Sequence, residues 1–572
     1  MKNLLSKSAV SKMIAVVIAI IIIVAAIAGT YYYLTLPSPS PSPPPTTVKN
    51  TLVIAMPADA AAIDPGTMQV DNTGFSVISD IYEGLINHVW QPSADGKYLA
   101  MNTTQFEGRV AESWVHSADY KTWTFYLRRG LTFHSGNPLT ANEVVWSFVN
   151  YHFLLPTGSV VAMAGATLDG VKALDNYTVQ FTLANSNPEF LQYICQAATG
   201  VIMDKQLILQ HGGVTANTRN PWLAINDAGS GPYKLDHWTP GVEIVLTAFN
   251  NYWRTGYPKT PKIVFRIIPD VATQEMALAS GDVDIIYNLP AKDIARMQVT
   301  QNVTVVSAPS ADTFFIELRT ENETGFAVPE FTNPLVREAL RYTMPYDDII
   351  SQIQYGYAQR LGSIVPPTFP DYVDVYTSKY NYNLTRAKEL LTEAGYPNGF
   401  EFTVTLGAGM ESAQEEVMIA WQSELAKIGV AMKMELLPAT TFIALMQGHK
   451  LNMWVVDWSS YTSDPYYQLF WFITSDVKLA GFSGNPCDFV DMAKDPNLHP
   501  GLQDYWLAGL YEVNATLRSI IAQNLQQETI DKSYHILIYS AGIHIAMRSN
   551  VHDYWVHLEN VVHPQTVYEL TS

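Results

Sequence analysis

The chain has 572 residues, of which 48% are hydrophobic, and this length favours two or three lobes over a single hydrophobic core. Its 53 acidic and 34 basic residues give a net charge of −19, which disfavours nucleic acid and anionic membrane surfaces as partners because phosphate groups need a basic face. Cys195 and Cys487 are too few for a disulfide framework or a zinc ribbon, which leaves one disulfide or two separate thiols.

Residues 1–36 predict a membrane anchor. Three lysines precede an apolar run from Met13 to Ala28, and a tyrosine triplet follows before Leu36. The run approaches the ~20 residues that cross a bilayer as a helix, and the lysines place its start in the cytoplasm and the rest of the chain outside. Ala26-Ile27-Ala28 also offers a cleavage site for a removed signal peptide. We favour a retained anchor in the cytoplasmic membrane, because the apolar stretch continues past that site.

Residues 37–50 form a predicted stalk. Proline alternates with serine from Pro37 onward, a composition that cannot build a core and favours extended polyproline II. Six glycosylation sequons follow, which fit a domain outside the cell but also occur by chance. They lie at Asn102, Asn176, Asn302, Asn322, Asn383 and Asn514.

The first half of the chain alternates predicted strands and helices. Thr51–Ala55 is a short apolar strand, and Trp123–Leu127 alternates as a second strand does. Thr140 and Glu143 have the spacing of a capping box and predict a helix start. Two further strands, Val242–Phe249 and Lys262–Ile268, precede a helix that Asp270 caps and Ser280-Gly281 ends.

The second half predicts a further α/β unit. Its predicted strands are Thr313–Leu318 and Ala431–Leu437. Its predicted helices are Pro334–Thr343, which has apolar residues at helical spacing, a segment from Asn383 that Gly395 closes, and Glu415–Lys427, which ends before Gly429.

Four motifs in order carry a family resemblance. They are Gly229-Ser230-Gly231-Pro232-Tyr233, Asn251-Tyr252-Trp253, Pro269-Asp270 and Ser280-Gly281-Asp282-Val283-Asp284. The chain resembles the extracytoplasmic solute-binding proteins of family 5, which serve peptide, opine and nickel ABC importers, from about Thr51 to its C-terminal region. Tyr82-Glu83-Gly84-Leu85 resembles a helix motif of that family. We expect the glycines and aromatic residues of Gly229–Asp284 to set turns and packing and not to contact ligand.

The resemblance implies an α/β fold of the two-lobed, type II periplasmic-binding-protein kind with an extra domain, after the N-terminal transmembrane helix. The implied bounds are 51–79, 226–306 and 536–572 for domain I, 80–225 for domain II, and 307–535 for domain III. The implied function is capture of an oligopeptide or oligosaccharide in a cleft between lobes and delivery to ABC permease subunits.

Two stretches are expected to line the cleft. By resemblance, the loop after the first strand enters it and offers the backbone of Ala60 and Ala61, whereas Asp64 is expected to be a turn or cap residue. The family's loop "W.aDy.dP" corresponds to Leu451–Pro465. In peptide-binding members, the acidic residue three places after the tryptophan receives the ligand's ammonium group.

Counted from Trp458, that place holds Tyr461, so a peptide amine loses its usual partner unless an acid such as Asp457, Asp464 or Asp59 substitutes. Trp458 and Tyr461 favour stacking on a sugar ring, and Trp454 on its strand is expected to be core. Asp464 is also expected to cap the next helix.

No motif in the chain predicts catalysis, and we expect no cofactor. His134 is expected to lie in a structural turn. The histidines near the end are spread over separate elements and do not predict a metal site. They are His535, His544, His552, His557 and His563. The alternative function is an extracellular hydrolase that uses a carboxylate pair such as Asp457 and Asp464.

Overall fold

The computed structural model describes residues 48–66, 71–155, 158–196, 199–319, 328–407, 412–448, 450–460, 462–473, 478–479, 482–483, 501–531, 535–557 and 564–570. The predicted anchor, most of the predicted stalk, Cys487, Tyr461 and His563 lie outside these ranges. Within them, no helix combines the length and the apolar character that crossing a membrane requires.

The described chain begins with the predicted apolar strand. Strand β1 is Thr51–Met56 and helix α1 is Asn72–Ile81, which starts where the Asp71 side chain accepts the Gly74 N–H. The expected helix motif at Tyr82–Leu85 was wrong, because Tyr82 has extended backbone angles and terminates α1. Gly84 instead forms a bridge with Val201.

A long segment then leaves the first sheet and returns to it. Its elements are β2 Ile86–Pro92, β3 Leu99–Gly108, β4 Ala111–His116, β5 Thr122–Leu127, α2 Ala141–Trp146, α3 Gly158–Met163, β6 Val171–Asp175, β7 Thr178–Thr182, α4 Phe190–Ile194 and α5 Lys205–Gln210. The predicted capping box of Thr140 and Glu143 starts α2. Strands β4, β5, β7 and β6 form a separate four-stranded antiparallel sheet.

The chain next builds the part that holds the family motifs. Its elements are β8 Tyr233–Thr239, β9 Glu243–Ala248, β10 Lys262–Ile267, α6 Val271–Ser280, β11 Ile285–Ile286 and α7 Ile294–Gln298. As predicted, Asp270 caps α6 and Gly281 ends it with a left-handed φ of 87°.

The remaining elements are a second α/β unit between the long strands β12 and β19, and three short strands that follow β19. They are β12 Val303–Leu318, α8 Pro334–Thr343, α9 Tyr346–Asp348, β13 Gln359–Arg360, α10 Leu384–Glu393, β14 Glu401–Gly407, α11 Ser412–Ala426, β15 Ala431–Leu437, α12 Ala439–Gln447, β16 Met453–Ser459, α13 Pro465–Ile473, β17 Lys478–Leu479, β18 Phe482–Ser483, α14 Leu502–Leu510, α15 Ala515–Asp531, β19 His535–Arg548, β20 Val551–His552, β21 Trp555–Val556 and β22 Tyr568–Glu569.

One sheet runs through both units. Its strand order in the described chain is β15-β14-β16-β12-β19-β11-β1-β10-β9-β8, with β13 also on β19. Strands β12 and β19 are antiparallel and pair from Val303 with Arg548 to Glu317 with His535. Their register shifts between Pro309 and Thr313, so each crossing strand has one half in each lobe and an irregularity between the halves.

The buried side chains form three apolar clusters. One lies around β1, β9 and β10, with Leu52, Ile244 and Phe265 fully buried. A smaller one packs α6 and α7 on the other face of that lobe. The largest is continuous from the inserted segment (85–202) to the second unit (311–539). The architecture is therefore mixed α/β with two lobes, and the three domain boundaries stay a prediction.

The Gly229-to-Tyr233 turn packs on the end of α1. A Cβ atom on Gly229 would lie 1.8 Å from the Ile81 carbonyl oxygen, and one on Gly231 would lie 2.5 Å from the Asp80 carbonyl oxygen. These glycines permit the close approach of two backbones, as expected of a scaffold segment.

The first and last described residues lie side by side. Val48 forms a bridge with Leu570, and the Lys49 N–H donates to the Glu569 carbonyl at 2.8 Å. The Lys49 ammonium also contacts Asp284 at 2.5 Å and the Glu569 carboxylate at 2.9 Å. Burial raises the pKa of Asp284 to about 6.

Candidate functional site

The carboxyl ends of strands from both lobes point towards the same gap. Strand β1 is parallel to β11, and β11 is antiparallel to β19, so β1 runs towards the second lobe. Strand β16 is antiparallel to β12 and parallel to β14, so both run towards the first lobe. Because ligands of open α/β sheets bind outside the carboxyl ends of strands, the residues after β1 and β16 define the candidate cleft.

The loop after β1 satisfies much of its own backbone. The Ala60 N–H donates to the Asp59 carboxylate at 2.9 Å, and the exposed Ala61 donates to Asp71 at 2.6 Å. Asp59 also accepts from the Trp238 indole at 3.0 Å and from the Gly241 N–H at 2.6 Å. The Ala60 and Ala61 N–H groups are therefore already bonded within the protein. Asp59 is unsuitable as a ligand-binding acid because its oxygens accept hydrogen bonds from the β8–β9 hairpin.

Asp64 is a framework residue, as expected. It is fully buried, accepts the Gly66 N–H at 3.0 Å and accepts the Tyr151 hydroxyl. Burial raises the pKa of Asp64, although the Tyr151 and Gly66 bonds oppose this effect.

The two tryptophans of strand β16 have different environments. Trp454 is 1% exposed and lies in the core, as expected. Trp458 is half-buried, with its ring centroid 5.4 Å from that of Trp471 and 5.6 Å from that of Phe472. Its ring therefore packs on α13. The predicted stacking residue Tyr461 lies outside the described ranges.

Asp457 is exposed at the end of β16. It lies opposite Phe314, while Ser459 lies opposite Asp312. Since side chains alternate along a strand, Asp457, Ser459 and Asp312 share one face of the sheet. Asp312 accepts the Ser459 hydroxyl, so two carboxylates lie near each other at this strand end.

Gln414 holds the Asp457 carboxylate from the neighbouring helix α11. Its amide nitrogen donates to Asp457 Oδ2 at 2.7 Å. Gln414 is 3% exposed, and its amide oxygen has no hydrogen-bond partner in the described part of the chain. The strand end thus brings together two carboxylates, which suit a ligand with a positively charged N–H donor group.

Asp464 has a different environment from Asp457. It is 2% exposed, and its oxygens accept from Arg518 at 2.9 and 2.7 Å and from the Tyr193 hydroxyl at 2.7 Å. It also accepts the Tyr466 N–H at 3.1 Å in the first turn of α13. These bonds favour the expected framework role over direct ligand contact, and they weaken the hydrolase alternative because a carboxylate held in this way is a poor acid or base.

The sequence also holds an acid at the same spacing from the other tryptophan of this stretch. Counted from Trp454 and not from Trp458, the acidic residue three places on is Asp457. The structure buries Trp454 and exposes Asp457. Gln414 and Asp312 had no such signal, because only the pairing of β12, β14 and β16 brings them to Asp457.

His134 lies in the predicted turn. Its ring nitrogens face the Asp227 carboxylate at 2.7 Å and the Gly231 carbonyl at 2.9 Å. His535 and His544 lie within β19, and His552 and His557 follow it. Among the described residues, no group of three histidine, cysteine or acidic side chains is placed to hold a metal ion.

The Cys195 side chain is half-buried. Its sulfur lies 3.3 Å from His88 Nε2, and burial lowers the pKa of His88 to about 4. A neutral imidazole of this kind is too weak a base to draw the proton from the thiol.

Two lobes that share two crossing strands, with hydrogen-bond acceptors where strand ends converge, define a two-lobed solute-binding protein of the periplasmic-binding-protein type. Residues 105–479 match the family described as "Bacterial extracellular solute-binding proteins, family 5 Middle". The chain belongs to this family, whose members serve ABC importers.

Curated relatives are binding proteins. The chain is 27% identical over 504 residues to the probable D,D-dipeptide-binding periplasmic protein DdpA of Escherichia coli K12, covering 88% of this chain and 91% of the relative. It is 25% identical over 425 residues to the glutathione-binding protein GsiB of Escherichia coli O1:K1, covering 73% and 76% of the two chains.

Solved structures share the fold. The periplasmic binding protein DppA of Helicobacter pylori, in complex with the peptide STSA, has a TM-score of 0.74 at 23% identity and covers 92% of this chain and 99% of its own. AgaA of A. tumefaciens R10, in complex with agropinic acid, has a TM-score of 0.72 at 23% identity, with coverage of 91% and 99%.

Proposed function

We propose that this protein captures a short peptide with a free amino terminus and delivers it to the permease of an ABC importer. The single observation that carries the proposal is the exposed Asp457 carboxylate, held by Gln414 at 2.7 Å where strand ends of both lobes converge. A peptide ammonium carries three N–H donors and a positive charge, which a closed cleft must pair.

Each acceptor has a separate role in this proposal. Asp457 neutralises the ammonium, while the buried Gln414 amide nitrogen holds the carboxylate in place. Asp312 adds negative potential from the same face of the sheet. The loop of Ala60 and Ala61 would contact the peptide backbone from the other lobe through its carbonyl groups, because the two N–H groups are already bonded.

Capture in this proposal needs no bond-making. Rotation at the register shifts of β12 and β19 would close the lobes, and ligand contacts to both lobes would stabilise the closed state. The anchor of residues 1–36 and the stalk would hold the lobes near the permease and raise their effective concentration there.

The test is calorimetric titration of the protein with the tetrapeptide Ser-Thr-Ser-Ala, its N-acetylated form, and a maltooligosaccharide. We expect the free peptide to bind and acetylation to weaken binding roughly 30-fold or more, since an unpaired buried charge is costly. Sugar binding without peptide binding would contradict the proposal and support an oligosaccharide ligand.

Two variants sharpen this test. Asp457→Asn removes the negative charge but keeps the size of the side chain. This variant should lose the preference for a free amino terminus. Asp59→Asn is the matched control, because Asp59 bonds Trp238 and Gly241 within its own lobe. An unchanged preference in Asp457→Asn would exclude Asp457 as the ammonium partner. Release of peptide fragments during the titration would favour the hydrolase alternative.

A further inference from the structure

Two segments that are distant along the chain meet at one buried contact. Helix α4, with Tyr193, lies in the segment inserted between β1 and β8. Asp464 and Arg518 lie in the unit between β12 and β19. Every covalent path between these two segments passes through a crossing strand, so local chain geometry does not enforce the contact.

The contact is a complete hydrogen-bonded unit. The Tyr193 hydroxyl donates to Asp464 Oδ2 at 2.7 Å, and Arg518 donates to both Asp464 oxygens at 2.9 and 2.7 Å. Tyr193, Asp464 and Arg518 are 0%, 2% and 5% exposed. The Arg518 guanidinium also lies 4.3 Å from the Tyr466 ring centroid. Tyr193 reaches this unit from the inserted segment.

The charges make the contact strong. Burial, and then the Asp464 charge, raise the pKa of Tyr193, so its hydroxyl remains a donor. Burial opposes the charged form of Arg518, but Asp464 and Glu189 outweigh it and raise the pKa of the guanidinium. Glu189 directly precedes α4, so it adds a second attraction between the two segments.

The surroundings exclude water. The largest apolar cluster runs without a break from the inserted segment to the second unit. The rings of Tyr193 and Tyr467 meet edge to face, with centroids 6.4 Å apart. Opening the lobes would expose the ion pair of Asp464 and Arg518 and leave the Tyr193 hydroxyl without its acceptor.

We propose that Tyr193, Asp464 and Arg518 form a latch that holds the two lobes closed over the ligand. The latch sets how long the ligand is retained without touching the ligand. It gives the inserted segment of residues 80–225 a role in closure, and it explains why an acid of the loop after β16 is buried. The proposal rests on the ligand-linked closure proposed above, but its structural half is testable without ligand.

The ligand-free test is hydrogen exchange on the full chain, followed by mass spectrometry. Tyr193→Phe removes one hydroxyl and should speed exchange in Phe190–Ile194 and in Pro465–Ile473. Tyr233→Phe is the matched control, because the Tyr233 hydroxyl is also buried but donates to Thr260 within its own lobe. Exchange in Tyr193→Phe that equals wild type in both segments would overturn the latch, whatever the ligand proves to be.

The ligand test uses Ser-Thr-Ser-Ala in a stopped-flow displacement experiment. Opening of the wild-type lobes breaks the hydrogen bond from Tyr193 to the charged Asp464, and opening of Tyr193→Phe does not. The variant should therefore release the ligand about ten times faster. Asp464→Asn should also raise the dissociation rate. The second variant keeps the test decisive if one of the two fails to fold. An unchanged dissociation rate in both folded variants would overturn the proposal, and failure of wild type to bind the peptide would count against the proposed function alone.

Discussion

Asp457 and Asp464 show how environment separates two residues of the same type. Asp457 is exposed, and the neutral Gln414 amide donates to its carboxylate. Arg518 and Tyr193 donate hydrogen bonds to the buried Asp464, so its charge is paired inside the protein. The sequence places both acids in one stretch, and only their partners distinguish a ligand-binding role from a framework role.

His152 gives a test of pH dependence at the same scale. It is fully buried, with Nε2 bonded to the Val201 carbonyl at 2.9 Å, and burial lowers its pKa to about 4. Its unfolded pKa lies near 6.5, so the unfolded state binds the proton first as the pH falls. The stability from this residue is complete above pH 6.5 and is lost towards pH 4.

We expect this loss to reach about 2 kcal/mol at pH 5. The measurement is urea unfolding of wild type and His152→Gln at pH 7 and pH 5. The variant should be less stable at pH 7, but the gap between the two proteins should narrow at pH 5. A gap of equal size at both pH values would contradict the neutral, buried assignment.

Elements were predictable where one local signal decided them. Asp270 and Gly281 bound α6 as their residue types indicate, and Thr140 with Glu143 starts α2. Strand β12 was predicted only for its second half, because Pro309 interrupts the pattern and the partner β19 lies far along the chain. The wrong helix prediction at Tyr82–Leu85 also reflects a partner that lies far along the chain, because Gly84 forms a bridge with Val201.

The Gly229 turn provides the test at this scale. Gly229→Ala should destabilise the protein by about 3 kcal/mol, because the added Cβ would lie 1.8 Å from a backbone oxygen that cannot move aside easily. Gly356→Ala is the control, since its φ is 80° but nothing lies within 4 Å, and only about 1 kcal/mol of backbone strain is expected. Denaturant midpoints measure both, and equal costs would refute the packing explanation.

At the scale of the whole molecule, the family motifs predicted the mixed α/β class and the two lobes. They did not predict how the lobes meet. The pairing of β12 with β19 and the contact of Tyr193 with Asp464 join residues separated by more than two hundred positions. No local pattern encodes such a pairing, because many apolar strands of similar composition compete for each partner.

A ligand that touches both lobes should couple their unfolding. At a concentration of Ser-Thr-Ser-Ala one hundred times its Kd, we expect the free energy of unfolding to rise by about 2.7 kcal/mol. Fluorescence and circular dichroism should report one shared transition that moves as a whole. Movement of only one stage of a two-stage transition would mean that the peptide contacts a single lobe.

The bridge of Val48 with Leu570 determines which lobe an attachment at either end of the described chain would hold. Both ends of the described chain belong to the lobe of β1, where Lys49 joins Asp284 and Glu569. If the lobes close as proposed, a support attached at either end would hold that lobe, and the unit between β12 and β19 would rotate. In that case, the proposed anchor would stay in place while the cleft closes.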